Sequence, residues 1–369
     1  MSEGVELREI SEGLVRLFVP DVPRGKGPGK RGGGPFYNPT MEKNRDMTVL
    51  FLRALGRSNL TFLDGLSAAG SLGIRVAKEV AHIEVTCNDS DPSAAALIKK
   101  NAEANQVELA AVTNEKFQAH MAVNSYDFID IDPFGTPVPF LDSAFQAAAR
   151  GGIVAVTATD TAVLCGAQAK ACVRRYEARP LHIDCCKEIA LRILIGFCVR
   201  TAARHDRALR PLLSFSSDHY FRLFLGVEHG AGKADEALAG LGYVLYDKET
   251  GEGRMVVEKG QSRDWAGPLW TGNLLDRGSV ERLHPATYML HPTSILVDAL
   301  KSEVGAPGLY VTSEGLARHL GISPPPLGTF IDTLHAHGNI AIRTHFDPGG
   351  VKTDASWDEV TRTYGDCST

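Results

Sequence analysis

One nine-residue segment constrains the fold of this chain more than any other. Residues 127–135 read Asp-Phe-Ile-Asp-Ile-Asp-Pro-Phe-Gly, a pattern typical of a buried strand that runs into a tight turn. Pro133 ends the strand because it has no N–H to donate to a neighbouring strand. Asp132 and Phe134 are therefore expected at a strand end, where open α/β sheets form their ligand crevice.

The turn presents a carboxylate, a proline and an aromatic ring in succession. Asp132 and the carbonyl of Pro133 can accept hydrogen bonds from an exocyclic amine, and the ring of Phe134 can stack on a planar base. The segment therefore indicates methylation of an amino group on a nucleobase. Asp-Pro turns with a nearby aromatic also end strands without any catalytic role, and the turn alone leaves that alternative open.

Short apolar strands alternate with helices on both sides of this turn. Strands are predicted at 61–64, 83–89, near 112, at 128–132 and at 152–157, with helical segments between most of them. This alternation is typical of a parallel sheet covered by helices, so the predicted fold class is α/β.

Three regions are predicted along the chain of 369 residues. Residues 1–35 combine a short strand region with a basic glycine-rich loop, and residues 36–230 form the sheet domain. Residues 231–369 form a smaller α+β C-terminal domain, entered through a Gly/Ala linker just after Glu228. Within it, residues 313–345 resemble a helix-turn-helix or winged-helix arrangement, which suits binding of a nucleic acid.

A turn of small residues, 64–70, follows the first strand of the sheet domain and leads into a helix. Such a turn lets the backbone approach a ligand closely. Asp89 closes the next strand, where an acid can hold both ribose hydroxyls of a nucleoside cofactor. A helix N-cap is the alternative role for Asp89. The turn lacks G-x-G-x-x-G, and together with the Asp-Pro-Phe-Gly turn it favours S-adenosyl-L-methionine over NAD.

Charge is distributed unevenly along the chain. The net charge is −5, yet residues 24–57 carry eight Lys and Arg against two acids, and residues 170–210 carry ten against four. Both stretches therefore have a net charge of +6 in an otherwise acidic chain. They fit contacts with a phosphate backbone, although solvated helix faces can carry similar charge.

The seven cysteines form no C-x-x-C pair, which favours reduced thiols in a cytoplasmic protein over disulfides or a zinc site. No apolar run approaches the roughly 20 residues of a membrane span, and the first residues do not resemble a secretory signal.

A set of short motifs gives the chain a specific resemblance. In order they are Phe36-Tyr37-Asn38-Pro39, Asn44-Arg45-Asp46, Gly73-Ile74-Arg75, Asn88-Asp89, Asp130-Ile131-Asp132-Pro133-Phe134-Gly135, Thr157-Ala158-Thr159-Asp160, Leu164-Cys165-Gly166, Arg179-Pro180, Asp218-His219-Tyr220-Phe221-Arg222, Gly267-Pro268-Leu269-Trp270-Thr271-Gly272 and Lys352-Thr353-Asp354-Ala355. With these motifs the chain resembles the archaeal type of the tRNA (guanine-26-N2)-dimethyltransferases. The resemblance implies a Rossmann-like class I methyltransferase domain that uses S-adenosylmethionine, plus the smaller C-terminal domain.

The resemblance also implies roles for individual residues. Arg45 and Arg75 would contact the methionine carboxylate of the cofactor, for which a helix-surface ion pair is the alternative. Asp132, with Pro133 and Phe134, would orient and stack the guanine. The other expected cofactor residues are Asp64, Gly70, Asp89, Gln118, Ala119 and Asp130. The expected substrate residues are Phe36, Asn38, Thr159, Asp160, Arg174, Arg175 and Arg179.

Two departures from the family pattern stand out. Gln118 occupies the position where the family usually has an acid that contacts the adenine amine. Residues 243–246 read Tyr-Val-Leu-Tyr where several members have a zinc-binding C-x-x-C, so no structural zinc is expected.

Two rival functions remain open at this point. One is methylation of another amine, such as adenine N6 or guanine N2 in rRNA, and the other is RNA binding without catalysis. The sequence predicts a cytoplasmic protein with tRNA as its partner, acting as a monomer, and leaves open whether one or two methyl groups are added.

Overall fold

A computed structural model describes residues 6–21, 35–261 and 263–368. The chain divides into two compact units. The first comprises residues 1–159, 222–230 and 281–297, and the second comprises residues 160–221, 231–280 and 298–369.

The secondary structure alternates strands and helices through the first half of the chain. The elements up to residue 158 are β1 (Leu7–Glu12), β2 (Val15–Pro20), a 3-10 helix (Pro39–Met41), α1 (Glu42–Leu55), β3 (Leu60–Asp64), α2 (Ser71–Glu79), β4 (Ile83–Asn88), α3 (Pro92–Asn105), β5 (Ala111–Thr113), α4 (Phe117–Met121), β6 (Tyr126–Ile131), α5 (Val138–Ala147) and β7 (Ala148–Ala158).

The later elements are more varied. They are α6 (Thr161–Leu164), α7 (Ala169–Tyr176), α8 (Cys186–Ala203), β8 (Arg207–Ser217), β9 (Tyr220–His229), α9 (Ala231–Ala239), β10 (Leu241–Tyr246), β11 (Gly253–Val256), β12 (Trp265–Trp270), α10 (Arg277–Glu281), α11 (His291–Ser302), β13 (Val311–Thr312), α12 (Ser313–Leu320), α13 (Leu327–Ala336), β14 (Ala341–Arg343), β15 (Gly350–Thr353) and α14 (Trp357–Asp366).

The first unit is built on a sheet whose strands follow the order β5-β4-β3-β6-β7-β9. The pairs β4–β5, β3–β4, β3–β6 and β6–β7 are parallel, as the alternation of strands and helices predicts. The strand order reverses direction between β3 and β6, because β4 and β5 lie on one side and β6 and β7 on the other. Ligands bind at such a switch point in open α/β sheets, outside the carboxyl ends of the strands. Asp64 and Asp130 lie in register at those ends.

Aromatic packing fills the core beneath this edge. Phe51 stacks on Phe224 at 4.4 Å between ring centroids, and Phe62 stacks on Phe128 at 5.3 Å. The antiparallel hairpin β1–β2 adds a second apolar cluster, in which Val15, Leu17 and Val19 pack with residues of α2 and α3. The hairpin thereby belongs to the first unit.

The second unit contains the long, mostly buried helix α8 and two small antiparallel sheets. One has the strand order β11-β10-β12, and the other has the order β13-β15-β14. Helices α12, α13 and α14 pack with the second sheet around Leu316, Phe330, Leu334 and Tyr364. In the described part of the chain, no helix is both long and apolar enough to cross a membrane.

Candidate active site

The Asp-Pro-Phe-Gly turn follows β6 directly and is held in place by the end of β7. Gly135 has a φ of +78°, a backbone conformation that disfavours other residues. Its N–H donates to Thr159 Oγ1 at 2.8 Å, and the N–H of Thr159 donates to the Gly135 carbonyl at 2.9 Å. Thr159 therefore fixes the turn that carries Asp132 and Phe134.

Two aromatic rings lie together at this turn. The ring of Phe134 is 50% exposed, which is unusual for a residue that follows a buried strand. Phe36 meets it edge to face, with 4.5 Å between the ring centroids. Asn38 lies just beyond Phe36, where its Oδ1 accepts hydrogen bonds from the N–H and the hydroxyl of Thr40. The pair of rings forms an exposed aromatic surface beside Asp132.

Three carboxylates, here called the strand-tip carboxylates, lie at the ends of β3 and β6: Asp64, Asp130 and Asp132. Burial, with the charge of Asp130 adding to it, raises the pKa of Asp64 to about 8. Burial also raises the pKa of Asp132 to about 6, although Arg222 opposes this shift. Their mutual repulsion gives the site an affinity for cations.

Arg222 from β9 is the guanidinium that faces these acids. It is fully buried, ion-paired with Asp130, and donates to Thr157 Oγ1 and Thr48 Oγ1 at 2.8 Å each. Asp130 is only 1% exposed, and burial still raises its pKa despite the partner. Asp130 was expected to contact the cofactor. The structure shows it in an interior ion pair with Arg222, and its contact with the cofactor stays a prediction.

Asn44, in the first turn of α1, contacts Asp132 from the protein interior. Its Nδ2 lies 3.3 Å from Asp132 Oδ2 and 3.3 Å from Thr157 Oγ1. Neither Asn44 nor Arg222 was assigned a role from the sequence, although both lie within motifs that carry the family resemblance. A motif identifies residues that are typical of the family. The contact of Asn44 with Asp132, and that of Arg222 with Asp130, appear only in the fold.

The small-residue turn after β3 forms as expected. Gly70 precedes α2 with a φ of +76°. The N–H of Gly73 donates to Asp64 Oδ2 at 3.0 Å, and a Cβ at Gly73 would lie 2.2 Å from Cys87 Sγ. Glycine is therefore required where α2 passes this carboxylate. Asp64 is 5% exposed, and this inward hydrogen bond fixes one of its two carboxyl oxygens.

Asp89 lies at the end of β4 and is partly buried. Its two carboxylate oxygens accept from the N–H groups of Ala68 and Asp91, at 2.8 and 2.9 Å. The N-cap of α3 is Asp91, which accepts from the N–H of Ser93, so the capping alternative for Asp89 is wrong. Each oxygen of Asp89 keeps a second lone-pair direction for a hydroxyl group.

Gln118 and Ala119 are exposed on the short helix α4. The amide nitrogen of Gln118 donates to the Pro139 carbonyl at 2.9 Å, which fixes the side chain. Within the described residues its amide oxygen accepts no hydrogen bond, so it can accept one from a ligand amine.

Arg45 and Arg75 take part in a buried arginine network with three acids: Glu12, Asp46 and Glu79. Glu12 comes from the N-terminal hairpin and accepts twice from Arg45, at 2.6 Å in both bonds. Burial opposes the ionisation of Glu12, but the two arginines outweigh it and hold its pKa below the usual value. No local pattern in the sequence indicates this role for Glu12.

The two arginines differ in what they can still bind. Arg75 has no exposed surface, and each of its three nitrogen atoms contacts a carboxylate. All three nitrogen atoms are thus engaged in the network, and the expected contact of Arg75 with the cofactor stays a prediction. Neither arginine is a helix-surface ion pair, which was the alternative. Arg45 is 6% exposed and lies 5.1 Å from the ring of Tyr37.

These residues fit S-adenosylmethionine, which is a cation at its sulfur. Asp132 is mostly ionised at neutral pH and supplies negative charge, to which Asp64 adds as the pH approaches 8. Asp89 offers acceptors to a ribose, and Gln118 offers an acceptor to an amine. All of these residues lie in the first unit. A chain with this set of groups can bind a positively charged nucleoside without a metal ion.

The remaining expected substrate residues lie in the second unit. Asp160 is paired with Arg175 at 3.0 Å and accepts from the hydroxyl of Tyr176 at 2.7 Å. Arg174 is exposed on the same helix, α7. Arg179 lies 5.2 Å from the ring of Trp265. The basic loop at 24–34 lies outside the described residues.

The position of the family's zinc cysteines holds ordinary strand residues here. Residues 243–246 form most of β10, and Tyr243 packs edge to face on Trp265 at 5.6 Å. Among the residues that the structure describes, no group of three or more His, Cys, Asp or Glu side chains could hold a metal ion.

Comparison with known proteins agrees with this geometry. Residues 31–364 match the family model of N2,N2-dimethylguanosine tRNA methyltransferases. The tRNA (guanine(26)-N(2))-dimethyltransferase of Thermococcus kodakarensis is 40% identical over 377 residues, covering 95% of this chain and 97% of the relative. The enzyme of the same name from Pyrococcus furiosus is 38% identical over 381 residues, covering 96% and 97%.

A solved structure gives the same result for the fold. Trm1 from Pyrococcus horikoshii, in complex with S-adenosyl-L-methionine, superposes with a TM-score of 0.87 at 34% identity, covering 97% of this chain and 99% of that one. The predicted fold class, the resemblance and the cofactor are thereby confirmed. The chain belongs to the N2,N2-dimethylguanosine tRNA methyltransferase family.

Proposed function

We propose that this protein transfers methyl groups from S-adenosylmethionine to the exocyclic N2 of guanine 26 in tRNA, giving N2-methyl- and N2,N2-dimethylguanosine. The observation that carries the proposal is the pairing of the Asp132 carboxylate with the half-exposed ring of Phe134 on one turn. A planar base with a donor amine fits this pair, and the family supplies the nucleic acid that contains it.

Asp132 acts on the amine. Its carboxylate accepts a hydrogen bond from N2, which turns the nitrogen lone pair toward the methyl group, and it takes up the proton that N2 loses. A pKa of about 6 leaves most of the carboxylate ionised at neutral pH, where it can do both. The Pro133 carbonyl is the second acceptor, and Phe134 stacks on the base with Phe36 beside it.

The cofactor supplies an electrophilic methyl group on a sulfonium centre. Asp89 is proposed to hold its ribose hydroxyls, and the turn at Gly70 allows the backbone to approach it. Gln118 is proposed to accept from its adenine amine next to Ala119, and Arg45 to face its carboxylate. Positioning and charge are the main contributions of the protein, because no covalent bond to the chain is needed.

The target base has to leave its stack to reach the turn, at a cost of a few kcal/mol. Contacts with phosphate groups elsewhere offset this cost. We propose Arg174, Arg175 and Arg179 for these contacts, together with the basic loop at 24–34. The protein is proposed to act as a monomer in the cytoplasm, where its tRNA substrate is found.

The test compares two transcripts of one tRNA, which differ only in having guanine or adenine at position 26. Both are incubated with the protein and labelled cofactor, and the nucleosides are identified by mass spectrometry. We expect methylguanosines from the first transcript and none from the second. Equal labelling of the adenine transcript, or labelling of rRNA in preference to tRNA, would favour the rival amine substrate.

An Asp132→Asn variant tests the role of the carboxylate. Loss of the acceptor for the amine proton should lower the single-turnover rate by roughly 10²–10⁴-fold. Asp142→Asn is the matched control, because Asp142 is exposed on α5. An unchanged rate in Asp132→Asn would remove the proposed mechanism and leave the turn as a strand terminator.

A further inference from the structure

Asn44 combines two features that a purely structural amide rarely has. It is 2% exposed, and its Nδ2 is shared between Asp132 Oδ2 and Thr157 Oγ1. Its Oδ1 is buried and has no hydrogen-bond partner among the residues that the structure describes. A buried oxygen without a partner opposes folding, and an amide selected for stability alone would satisfy both of its ends.

The surroundings of Asp132 show what the nitrogen end of Asn44 does. Thr157 Oγ1 accepts a hydrogen bond from Arg222 at 2.8 Å, so its own hydrogen is free to point to Asp132, to which it donates. Asn44 and Thr157 are therefore two neutral donors that hold the carboxylate from the interior. A carboxylate has about four lone-pair positions, and the remaining ones are available to a substrate amine.

We propose that Asn44 is a positioning residue that fixes the carboxylate of Asp132 in the orientation that receives the substrate amine. This inference rests on the proposed function. The first turn of α1 then contacts both the strand-tip carboxylates and the arginine network. Asn44 contacts Asp132, while Arg45 and Asp46 belong to the arginine network.

The same contact affects the ionisation of Asp132. The charged groups that face Asp132 are Arg222 and Arg45, which favour the carboxylate, and Asp130 and Asp64, which oppose it. Asn44 adds a neutral donor to the ionised form. Removal of this donor should raise the pKa of Asp132, so the protein needs a higher pH before the carboxylate is ready to act.

The experiment measures single-turnover methylation of guanine-26 tRNA from pH 5 to pH 9 in the wild type, Asn44→Ala and Asn44→Asp. Binding of S-adenosylmethionine is measured by calorimetry and the melting temperature is recorded for each protein. Asn44→Ala should slow methyl transfer by about 10²-fold, because the carboxylate loses its orientation. The acidic limb of its rate profile should move upward by roughly one pH unit. Asn44→Asp should move the limb further, since it places another carboxylate beside Asp132.

Asn105→Ala is the matched control. Asn105 is also a buried amide, 8% exposed, but it bonds to the backbone of Arg16 in the hairpin and not to the strand-tip carboxylates. The Asn105→Ala protein should have a lower melting temperature than the wild type but the same dependence of methylation rate on pH.

Two results would overturn the inference. One is an Asn44→Ala protein with the wild-type rate and the wild-type acidic limb. The other is a loss of rate that is equal at every pH and accompanied by a loss of cofactor binding, as a general packing defect would produce. A wild type that does not methylate guanine 26 would instead contradict the proposed function.

Discussion

The arginine network and the strand-tip carboxylates are both buried in the first unit, but their charges are balanced differently. In the network, two guanidinium groups face three carboxylates, and the pKa of Glu12 is held below its usual value despite burial. At the strand tips, three carboxylates share one close guanidinium, that of Arg222. The pKa of Asp64 rises to about 8 there and that of Asp132 to about 6.

The difference separates a structural cluster from a reactive one. Paired charges in the interior hold a geometry, and the loss of one partner leaves another buried charge without compensation. Acids that are left partly uncompensated shift their pKa values and respond to a cation or a proton, which is the behaviour that catalysis requires. The hairpin strand that supplies Glu12 is therefore expected to govern stability, and the strand tips to govern chemistry.

The largest expected effect is on stability, from Glu12→Ala. This substitution leaves the guanidinium groups of Arg45 and Arg75 without a partner that contacts both, and should lower the free energy of unfolding by about 3–5 kcal/mol. Urea denaturation of the two proteins provides the measurement.

Glu9→Ala is the matched control on the same strand. Glu9 lies 3.7 Å from Arg16, and both side chains are largely exposed, so its loss should change the stability by no more than about 0.5 kcal/mol. Equal effects of the two substitutions would show that the network is not a structural cluster.

The next effect concerns the pH dependence of cofactor binding. Asp64 and Asp132 have pKa values above the ordinary 3.8, so they ionise progressively as the pH rises past 6 and then 8. Only the ionised forms attract a sulfonium ion. The affinity for S-adenosylmethionine, divided by that for uncharged S-adenosylhomocysteine, should therefore rise about tenfold from pH 6 to pH 9. Calorimetry with both ligands across this range tests the expectation.

Asp64→Asn sharpens the same measurement. Asparagine keeps an oxygen for the N–H of Gly73 but cannot ionise. In this variant the ratio of the two affinities should no longer rise above about pH 7, but its rise centred near pH 6 should remain. A ratio that is flat with pH in the wild type would mean that the strand-tip carboxylates do not act on the sulfonium.

Much of the first unit follows from local patterns in the sequence. The alternation of apolar strands and helices specifies the parallel sheet, and Asp-Pro-Phe-Gly marks the strand end with its reactive turn. Asp89 and the small-residue turn also lie where their spacing predicts. Each of these signals involves residues close in the chain, so periodicity and turn chemistry are sufficient to find them.

Contacts between distant segments were not accessible in this way. Glu12 meets Arg75 across 63 positions, and Arg222 meets Asp130 across 92. No local pattern encodes such pairs. The Gly/Ala linker expected after Glu228 was also wrong, because residues 231–239 form the helix α9, as the high helix propensity of alanine favours. The burial of Arg75 was inaccessible for a related reason: the sequence shows an arginine on a helix but not which face of that helix is buried.

The smallest expected effect tests the adenine end of the cofactor site, away from both charge clusters. Gln118→Asp restores the acid that the family usually has and should tighten cofactor binding about threefold, because a charged acceptor forms a stronger hydrogen bond than an amide. The gain is small since the position is exposed and the substitution loses the bond to Pro139. S-adenosylmethionine and S-adenosylhomocysteine share the adenine, so calorimetry should find the same gain for both at every pH above 6. A gain in affinity for S-adenosylmethionine alone would mean that residue 118 interacts with the charge of the strand-tip carboxylates. The adenine end of the site would then not be independent of the sulfonium end.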